Sequence, residues 1–498
     1  MRSPTRAPAL LAGVLALAAC AGPPRTDSAP RRTVLATESD DARAGRREAA
    51  QAEAELGLLD APALVAYVGG IGDKLVRGLP RRSFAYRFGV VDQVEPNAFA
   101  LPGGHVFVSR GLLLLANSED ELACVLGHEI THAASRHAAR QEALARSGNP
   151  LALPWNRAAQ QAAYERDMER QADEGGQILC AAAGYDPRAL SRFLVTLLQA
   201  ERLRAGYSRS PGFFDTHPGS QERASAAVVR ASEIRWRRDP TLGDTREALL
   251  RHLEGLAVGQ RPEAGIFEGE LFLHPDLDFQ IRFPRGWRTS NTNRMVGASS
   301  PRGDGLVYLV GEPPTATGRE AADAWLEKAQ QEQPLEVRES KRVQVGRFEA
   351  WRMRLEAGDR RGSIDSYVTF VPYGPHTFRI TGAAPAWASA ALEPTLATAR
   401  SFAPLGQAER RSIQARRLHV VTARPGEDLA ALGRRTGNAW DVETTAVHNG
   451  VFANHRFEGA ERVKIAEVAP YRPGAPTAAT PPARAAASRA PASAAASP

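Results

Sequence analysis

Ser-Glu-Asp-Glu-Leu-Ala-Cys-Val-Leu-Gly-His-Glu-Ile-Thr-His-Ala-Ala-Ser-Arg-His, residues 118–137, is the stretch of the 498-residue chain that decides the fold around it. Ser118 and Glu121 have the spacing of a capping box, which predicts the start of a helix. Apolar residues then recur with the helical period and form a stripe that can be buried: Leu122, Val125, Leu126 and Ile130. The pattern predicts one helix over residues 118–140.

This predicted helix carries His128-Glu129-Ile130-Thr131-His132. Two histidines four residues apart lie one above the other on the same helical face. Their imidazoles can bind one Zn²⁺, and Glu129 lies close enough to act on a reacting water without being a ligand. This H-E-x-x-H arrangement is typical of zinc metalloproteases. The alternative is a pair of surface histidines on a polar helix face.

A catalytic zinc needs a third protein ligand and one open position. The residues after His132 lack the glycine spacing that precedes the third histidine of metzincins. Glu169 and Asp173, further along the chain, have the i, i+4 spacing that directs both side chains at one neighbour. Glu169 can be a ligand, and Asp173 can accept the free ring N–H of a ligand histidine. A solvated acidic pair is the alternative, and two nearby acids are rivals by residue type alone: Glu165 and Asp167.

Four stretches together resemble the gluzincin peptidases related to the CAAX-prenyl endopeptidases and HtpX, in particular their soluble periplasmic branch. The stretches are residues 97–104 with 111–113, residues 121–132 with 136–137, residues 169–173 with 183–187, and residues 216–218 with Arg223. The resemblance covers about residues 60–235. It implies a mainly α zincin-type metalloprotease domain with a small β-sheet, which we place at residues 46–258.

The same resemblance implies roles for individual residues. Three of them would bind one Zn²⁺ per chain: His128, His132 and Glu169. Glu129 would be the general base, and Asp173 would support a ligand histidine from behind. Residues 97–109 would form an edge strand to which an extended substrate adds. The residues singled out in that strand, where glycine suits close backbone approach, are Asn97, Gly103 and Gly104.

Two further residues fall where this family has active-site residues, His217 and Arg223. Two roles are open for His217: it contacts the metal and keeps the protease latent, or it hydrogen-bonds the tetrahedral intermediate. Arg223 would orient the substrate. The membrane helices of HtpX and the prenyl proteases have no counterpart in this sequence, so we expect neither a prenylated nor an intramembrane substrate.

The N-terminus has the features of a bacterial lipoprotein signal over residues 1–20. Arg2 and Arg6 precede a short apolar stretch that is too short to span a bilayer. The stretch ends in a sequence that resembles a lipobox, which would make Cys20 the lipidated first residue of the mature chain. Ala21 after it, rather than Asp, favours an outer membrane lipoprotein facing the periplasm. The alternative is a plain signal peptide with an incidental cysteine.

The remaining chain divides by composition and periodicity. Residues 21–45 are predicted to be a tether, and residues 262–405 an α+β, sandwich-like domain of unknown role, because several stretches there alternate with period two. Residues 415–467 have a βααβ pattern that resembles a LysM module, a binder of peptidoglycan chains. Residues 468–498 are rich in Ala and Pro and contain no acid, which predicts a disordered tail.

Charge and cysteines set further limits. The net charge is +7, but only four of the 63 basic residues are Lys and the positive charge is diffuse, so we expect no nucleic-acid partner. Cys124 and Cys180 could form one disulfide after export, which sequence alone leaves open.

These observations predict a zinc-dependent endopeptidase of the bacterial cell envelope. Its substrates would be unfolded or misassembled envelope polypeptides. Two alternatives stay open. One is a chaperone-like or peptidoglycan-binding scaffold with a latent protease site, and the other is a zinc hydrolase that acts on peptidoglycan itself.

Overall fold

The computed structural model describes residues 37–147, 154–204, 213, 217, 221–359 and 362–473. The predicted signal peptide, the lipidation site Cys20, most of the predicted tether and most of the predicted tail lie outside these residues. None of the helices in the described ranges has the length and apolar character that crossing a bilayer requires.

The chain is multidomain, with helices and several sheets. Its first part contains nine helices within the described ranges: α1 (Glu38–Leu56), α2 (Pro62–Val76), α3 (Arg110–Leu115), α4 (Glu119–Ala134), α5 (His137–Ser147), α6 (Pro154–Ala182), α7 (Ala189–Arg204), α8 (Gln221–Glu233) and α9 (Thr245–Leu253). Helix α1 begins within the predicted tether, because Thr37 and Asp40 form a complete capping box.

A small sheet accompanies these helices, with strands β1 (Arg87–Val91), β2 (Ala98–Leu101) and β3 (His105–Ser109). The strand order is β1-β3-β2, so β2 is an outer strand. It pairs antiparallel with β3, while β1 pairs parallel with β3. Helix α1 covers one face of the sheet, where Ala49 packs with Phe99 and Phe107.

Helix α4 begins where the sequence predicts, but it ends earlier. The Ser118 hydroxyl accepts from the backbone N–H of Glu121, which is one half of the predicted capping box. The Glu121 carboxylate accepts instead from the backbone N–H of Asn117. Arg136 has a left-handed φ of 55° and separates α4 from α5, so residues 118–140 are not one helix.

The middle part of the chain is built on two antiparallel sheets. The strands are β4 (Ile266–Glu268), β5 (Leu271–His274), β6 (Phe279–Arg282), β7 (Arg288–Asn291), β8 (Val296–Ser299), β9 (Leu306–Glu312), β10 (Glu336–Val345), β11 (Phe348–Asp359), β12 (Gly362–Tyr373), β13 (His376–Pro385) and β14 (Ala403–Pro404). The larger sheet has the order β10-β11-β12-β13-β9-β8-β7 and the smaller sheet the order β14-β6-β5-β4.

Side chains of both sheets share one apolar core, in which Phe279 packs with Phe378. Helix α10 (Gly318–Glu332) covers part of the larger sheet through Ala321 and Ala322. Two shorter helices follow, α11 (Leu392–Arg400) and α12 (Gln407–Ser412).

The last described part has the element order βααβ: β15 (Gln414–Thr422), α13 (Leu429–Thr436), α14 (Val442–Asn449) and β16 (Arg462–Pro470). It packs against the first part of the chain. Leu418 and Ala466 belong to the same apolar core as the helices of the N-terminal part. The buried Lys464 donates from Nζ to the carbonyls of Leu114 and Ala116, at 2.8 and 2.7 Å.

Candidate metal centre and active-site cleft

Four side chains from three parts of the chain converge on one point: His128 and His132 of α4, Glu169 of α6, and His217. One ligand atom from each lies within 4.8 Å of all the others. The Nε2 atoms of His128 and His132 are 3.0 Å apart, and His217 Nδ1 lies 3.0 Å from Glu169 Oε1. The structure therefore brings together the three sequence-predicted ligands and His217.

The donor set fits a divalent metal of the zinc type. Imidazole nitrogens and one carboxylate oxygen are the ligands of catalytic zinc sites. Burial lowers the pKa of His132 to about 3, so its imidazole is neutral and has a lone pair to offer. The ring nitrogens of His128 and His132, 3.0 Å apart in a buried site, are well placed to share one cation.

The Glu129 carboxylate lies beside this cluster and is completely buried. Neither of its oxygens has a hydrogen-bond partner in the described structure, although His217 Nε2 lies 3.5 Å from Oε1. A buried carboxylate without hydrogen bonds is costly. Such a group is suited to accept a proton from a molecule that enters the site.

Asp173 and Arg223 lie behind the ligands. The Asp173 carboxylate is 3.1 Å from His128 Nδ1, the contact predicted from its spacing to Glu169. Arg223 donates to both oxygens of Asp173, at 2.7 and 3.0 Å, and its Nη1 lies 2.7 Å from Glu169 Oε2. The guanidinium of Arg223 is thus engaged with two carboxylates of the site, and its substrate-orienting role stays a prediction.

Neighbouring groups in the site shift one another's pKa values. Burial alone would raise the pKa values of Glu169 and Asp173. The imidazoles of His132 and His217 beside Glu169 outweigh burial and lower the pKa of its carboxylate. The nearby His128 imidazole and the hydrogen-bonded Arg223 guanidinium lower the pKa of Asp173 to about 2. Burial opposes the charged form of His217, but the Glu129 and Glu169 carboxylates raise its pKa overall. The carboxylates of Glu169 and Asp173 are therefore both ionised at neutral pH.

Helices α4 and α6 approach each other closely where they carry these residues. Gly127 faces Gly176, and a Cβ on either would lie within 3.0 Å of the opposite backbone. Cys124 and Cys180 form a disulfide between the same two helices, with Cα atoms 5.3 Å apart. The sequence left this pairing open, and the structure makes it a covalent link between the helix of His128 and the helix of Glu169.

A cleft of about 550 Å³ opens onto the cluster. Glu129, His132, Glu169 and His217 line it on one side, and residues 99–102, from β2 and the turn after it, line it on another. Asp41 and Arg136 also line the cleft and form an ion pair at 2.5 Å. The outer strand β2 therefore borders the cleft.

The residues predicted to form one edge strand, 97–109, contain the outer strand β2, a turn and the central strand β3. Asn97 is buried just before β2, where its backbone N–H donates to the Ser109 hydroxyl. Among the described residues, its side-chain Oδ1 has no hydrogen-bond partner. Gly103 and Gly104 lie in the turn after β2, both with positive φ. A Cβ on Gly103 would be 2.8 Å from the Cα of Ala42, so the close backbone approach there is made by α1.

Sequence reasoning missed the part that His137 plays in the site. Its Nδ1 lies 2.9 Å from Nδ1 of His132, and its Nε2 lies 2.9 Å from Oε1 of Gln171. The Arg136-His137 pair following the second histidine was visible in the sequence. Its contact with His132 was not, because it depends on the break between α4 and α5.

A cluster of histidines and a glutamate that could hold a metal ion, beside a buried carboxylate and an open cleft, is typical of the metalloprotease class. Comparison with known proteins supports the same class. Residues 64–155 and 151–231 match the model of Peptidase family M48.

Two relatives carry the comparison further. The chain is 29% identical over 202 residues to the beta-barrel assembly-enhancing protease of Escherichia coli (strain K12), covering 36% of this chain and 41% of the relative. It is 30% identical over 171 residues to the mitochondrial metalloendopeptidase OMA1 of Schizosaccharomyces pombe, covering 32% and 50%. The chain thus matches half or less of the length of these relatives.

Among solved structures, cyanobacterial PsbP from Synechocystis matches with a TM-score of 0.23 and 9% identity, covering 29% of this chain and 98% of that chain. A TM-score this low says nothing about a shared fold.

Proposed function

We propose that the protein is a zinc-dependent endopeptidase of the bacterial cell envelope that cleaves misfolded or misassembled envelope proteins. The observation that carries the proposal is the cluster of His128, His132, Glu169 and His217 beside the buried carboxylate of Glu129. The name of the Escherichia coli relative, a beta-barrel assembly-enhancing protease, supports a role in the assembly of envelope proteins.

The chemistry follows from the positions of the side chains. Bound Zn²⁺ would polarise the scissile carbonyl as a Lewis acid and make a water more acidic. Glu129 takes the proton of the attacking water and delivers it to the leaving amine. The outer strand β2 holds the substrate backbone extended by adding it to the small sheet. Asp173 and Arg223 keep His128 and Glu169 in place.

His217 would regulate this site. A catalytic zinc keeps one position open, and the fourth ligand atom of the cluster belongs to His217. With His217 in that position the protease is latent, and with His217 displaced the position is free for the reacting groups. The second role, donation to the oxyanion, requires the same residue to be off the metal, so the two roles predict opposite effects of its removal.

The proteolysis of an unfolded periplasmic protein tests the proposal. Wild type should cleave it, chelator should abolish cleavage, and added zinc should restore it. Glu129→Gln should bind zinc like wild type and cleave at least about 100-fold more slowly, since it removes the proton acceptor. Wild-type turnover by Glu129→Gln would contradict the assignment. Chaperone activity that survives in Glu129→Gln would favour the alternative, a chaperone-like scaffold with a latent protease site.

The location is a separate part of the proposal. The lipobox-like sequence before Cys20 supports a lipid anchor in the outer membrane, with the protease facing the periplasm. Cys20→Ser should release the chain from the membrane fraction or leave an uncleaved precursor. Unchanged fractionation, together with no lipid label on the wild type, would argue against an anchor.

A second candidate function is binding to peptidoglycan through residues 415–467. The observation in its favour is the βααβ order, which resembles a LysM module. Because Lys464 and Leu418 pack into the N-terminal part, a chain shortened to about residue 405 would expose that core. The better test is a pull-down of the full chain on purified sacculi, with Phe452→Ala, which alters an exposed side chain in the loop before β16. If the sacculi retained an unrelated control protein without a LysM-like sequence as well as they retain the full chain, the likeness would be structural only.

A further inference from the structure

The two histidines of the H-E-x-x-H motif have different partners on their outer ring nitrogens. His128 Nδ1 faces the Asp173 carboxylate at 3.1 Å. His132 Nδ1 faces another imidazole, that of the buried His137, at 2.9 Å. The far nitrogen of His137, Nε2, is 2.9 Å from the side-chain oxygen of Gln171 on α6. A row of three side chains therefore runs from the cluster to the surface.

The break between α4 and α5 creates this row. In a continuous helix, residues five apart point about 140° away from each other and do not touch. Arg136 adopts a left-handed conformation, and the resulting turn of the backbone places the His137 ring against the His132 ring. The ion pair between Arg136 and Asp41 of α1 holds Arg136 in place.

Hydrogen-bond chemistry orders the protons along the row. Gln171 presents its amide oxygen, not its amide nitrogen, to His137 Nε2. An amide oxygen can only accept, so in this orientation the proton of a neutral His137 is on Nε2. His137 Nδ1 is then an acceptor, and the proton of His132 must be on its own Nδ1. That leaves the lone pair of His132 on Nε2, which lies 3.0 Å from His128 Nε2 and 3.4 Å from Glu169 Oε1.

The reversed order would disable the ligand. If position 171 offered a donor, His137 would accept on Nε2 and donate from Nδ1. His132 would then accept on Nδ1 and carry its proton on Nε2, directed at the cluster. A protonated ring nitrogen cannot bind a metal.

We propose that His137 and Gln171 are positioning residues that set the tautomer of His132, so that its Nε2 lone pair is available to the metal. This inference rests on the proposed function, because it concerns the same metal centre. Neither residue would touch the substrate. Their effect acts through His132, in the way that an outer partner usually fixes the ring of a metal-bound histidine.

The affinity of the full chain for Zn²⁺, measured by competition with a chromogenic chelator, tests the proposal. We expect His137→Ala to weaken binding about 10- to 100-fold, the usual effect of losing an outer partner. His137→Asp should recover most of the affinity, because a carboxylate also accepts from His132 Nδ1. Gln171→Glu keeps an acceptor and should bind like wild type, whereas Gln171→Lys offers only donors and should bind more weakly.

Gln51→Lys is the matched control for charge, since Gln51 is exposed on α1 and its side chain bonds to Glu55 of the same helix. It should leave the affinity unchanged. The absorption spectrum of the Co²⁺-loaded chain adds a readout of the ligand set, and it should change in Gln171→Lys but not in Gln171→Glu.

Two outcomes would overturn the proposal: wild-type affinity in His137→Ala, or equal affinities of Gln171→Lys and Gln171→Glu. If the wild type binds zinc, either result leaves the proposed function standing and rejects only the positioning role of His137 and Gln171. A wild type that binds no zinc, and a His128→Ala variant that is indistinguishable from it, would reject the metal centre itself. Melting temperatures of the metal-free variants show whether a loss of affinity reflects unfolding, and His137→Asp keeps the test valid if His137→Ala does not fold.

Discussion

A Cβ atom on Gly176 would lie 2.7 Å from the backbone nitrogen of His128. This residue pair lies at a close approach between α4 and α6, the helices that carry three of the four candidate metal ligands. The neighbouring Gly175 would similarly meet the Thr131 side chain. Small residues at this crossing therefore determine how far Glu169 is from the two histidines.

Gly176→Ala is expected to weaken zinc binding without removing any ligand. The methyl group meets backbone rather than a flexible side chain, so the helices must separate, at a cost of about 1–3 kcal/mol. Zinc affinity and the melting temperature measure the effect. Gly70→Ala on α2 is the matched control, since its Cβ would meet nothing within 4 Å. It should stabilise slightly, because alanine favours helix. A Gly176→Ala variant as tight-binding as the control would show that the helix crossing does not set the site.

The disulfide between Cys124 and Cys180 is expected to stabilise the folded state by about 2–4 kcal/mol. It closes a loop with a sequence separation of 56 and so restricts the unfolded chain. Cys124→Ala/Cys180→Ala should lower the urea midpoint of unfolding, and reductant should lower the midpoint of wild type towards that of the double variant. The double variant supplies the control, because its own midpoint should not respond to reductant. If reductant also left the midpoint of the wild type unchanged, the result would argue against the disulfide.

His217→Ala is expected to raise basal proteolysis of an unfolded substrate. His217 Nδ1 lies 3.0 Å from Glu169 Oε1 and 3.4 Å from His128 Nε2, which places it within the cluster of candidate metal ligands. Removing it should free the fourth position. Initial cleavage rates at equal zinc occupancy give the measurement. A fall in rate would instead assign His217 to the oxyanion as a donor, and an unchanged rate would remove both roles.

Lys464 makes stability depend on pH at the contact between the last and first parts of the chain. Burial lowers the pKa of Lys464 well below its ordinary value, with Arg246 adding to the effect and the Glu121 carboxylate opposing it. Between the folded pKa and about 10.4, the unfolded chain therefore holds more protons than the folded chain. The free energy of unfolding should rise with pH in that window, by at most about 1.4 kcal/mol per pH unit.

The comparison with Lys464→Met isolates the contribution of Lys464 to the pH dependence of stability. The difference in unfolding free energy between wild type and Lys464→Met should shift in favour of wild type as the pH rises from 7 to 10. Lys328→Met, at an exposed position of α10, is the control and should show no such trend. A difference that is constant over this range would mean that Lys464 titrates equally in the folded and unfolded states.

Much of the metal centre could be predicted from the sequence because its residues lie within single helices. The helical period places His128 above His132, and Glu169 one turn from Asp173, whatever surrounds them. Ser118 marks the helix start through a bond to a residue three positions away. The alternation of residues in the middle part likewise indicated antiparallel strands, since the period of two depends only on neighbours along the chain.

Contacts between elements were decided only by the tertiary structure. The left-handed turn at Arg136 is not signalled by a glycine, and it depends on Asp41 from a distant helix. That turn brings His137 to His132. The pairing of Cys124 with Cys180, the engagement of Arg223 with Glu169 and Asp173, and the insertion of Lys464 beneath α3 all join residues more than 45 positions apart. Local hydrogen bonding and apolar periodicity determine the elements, whereas such long-range contacts form only when the packed elements bring the side chains within reach.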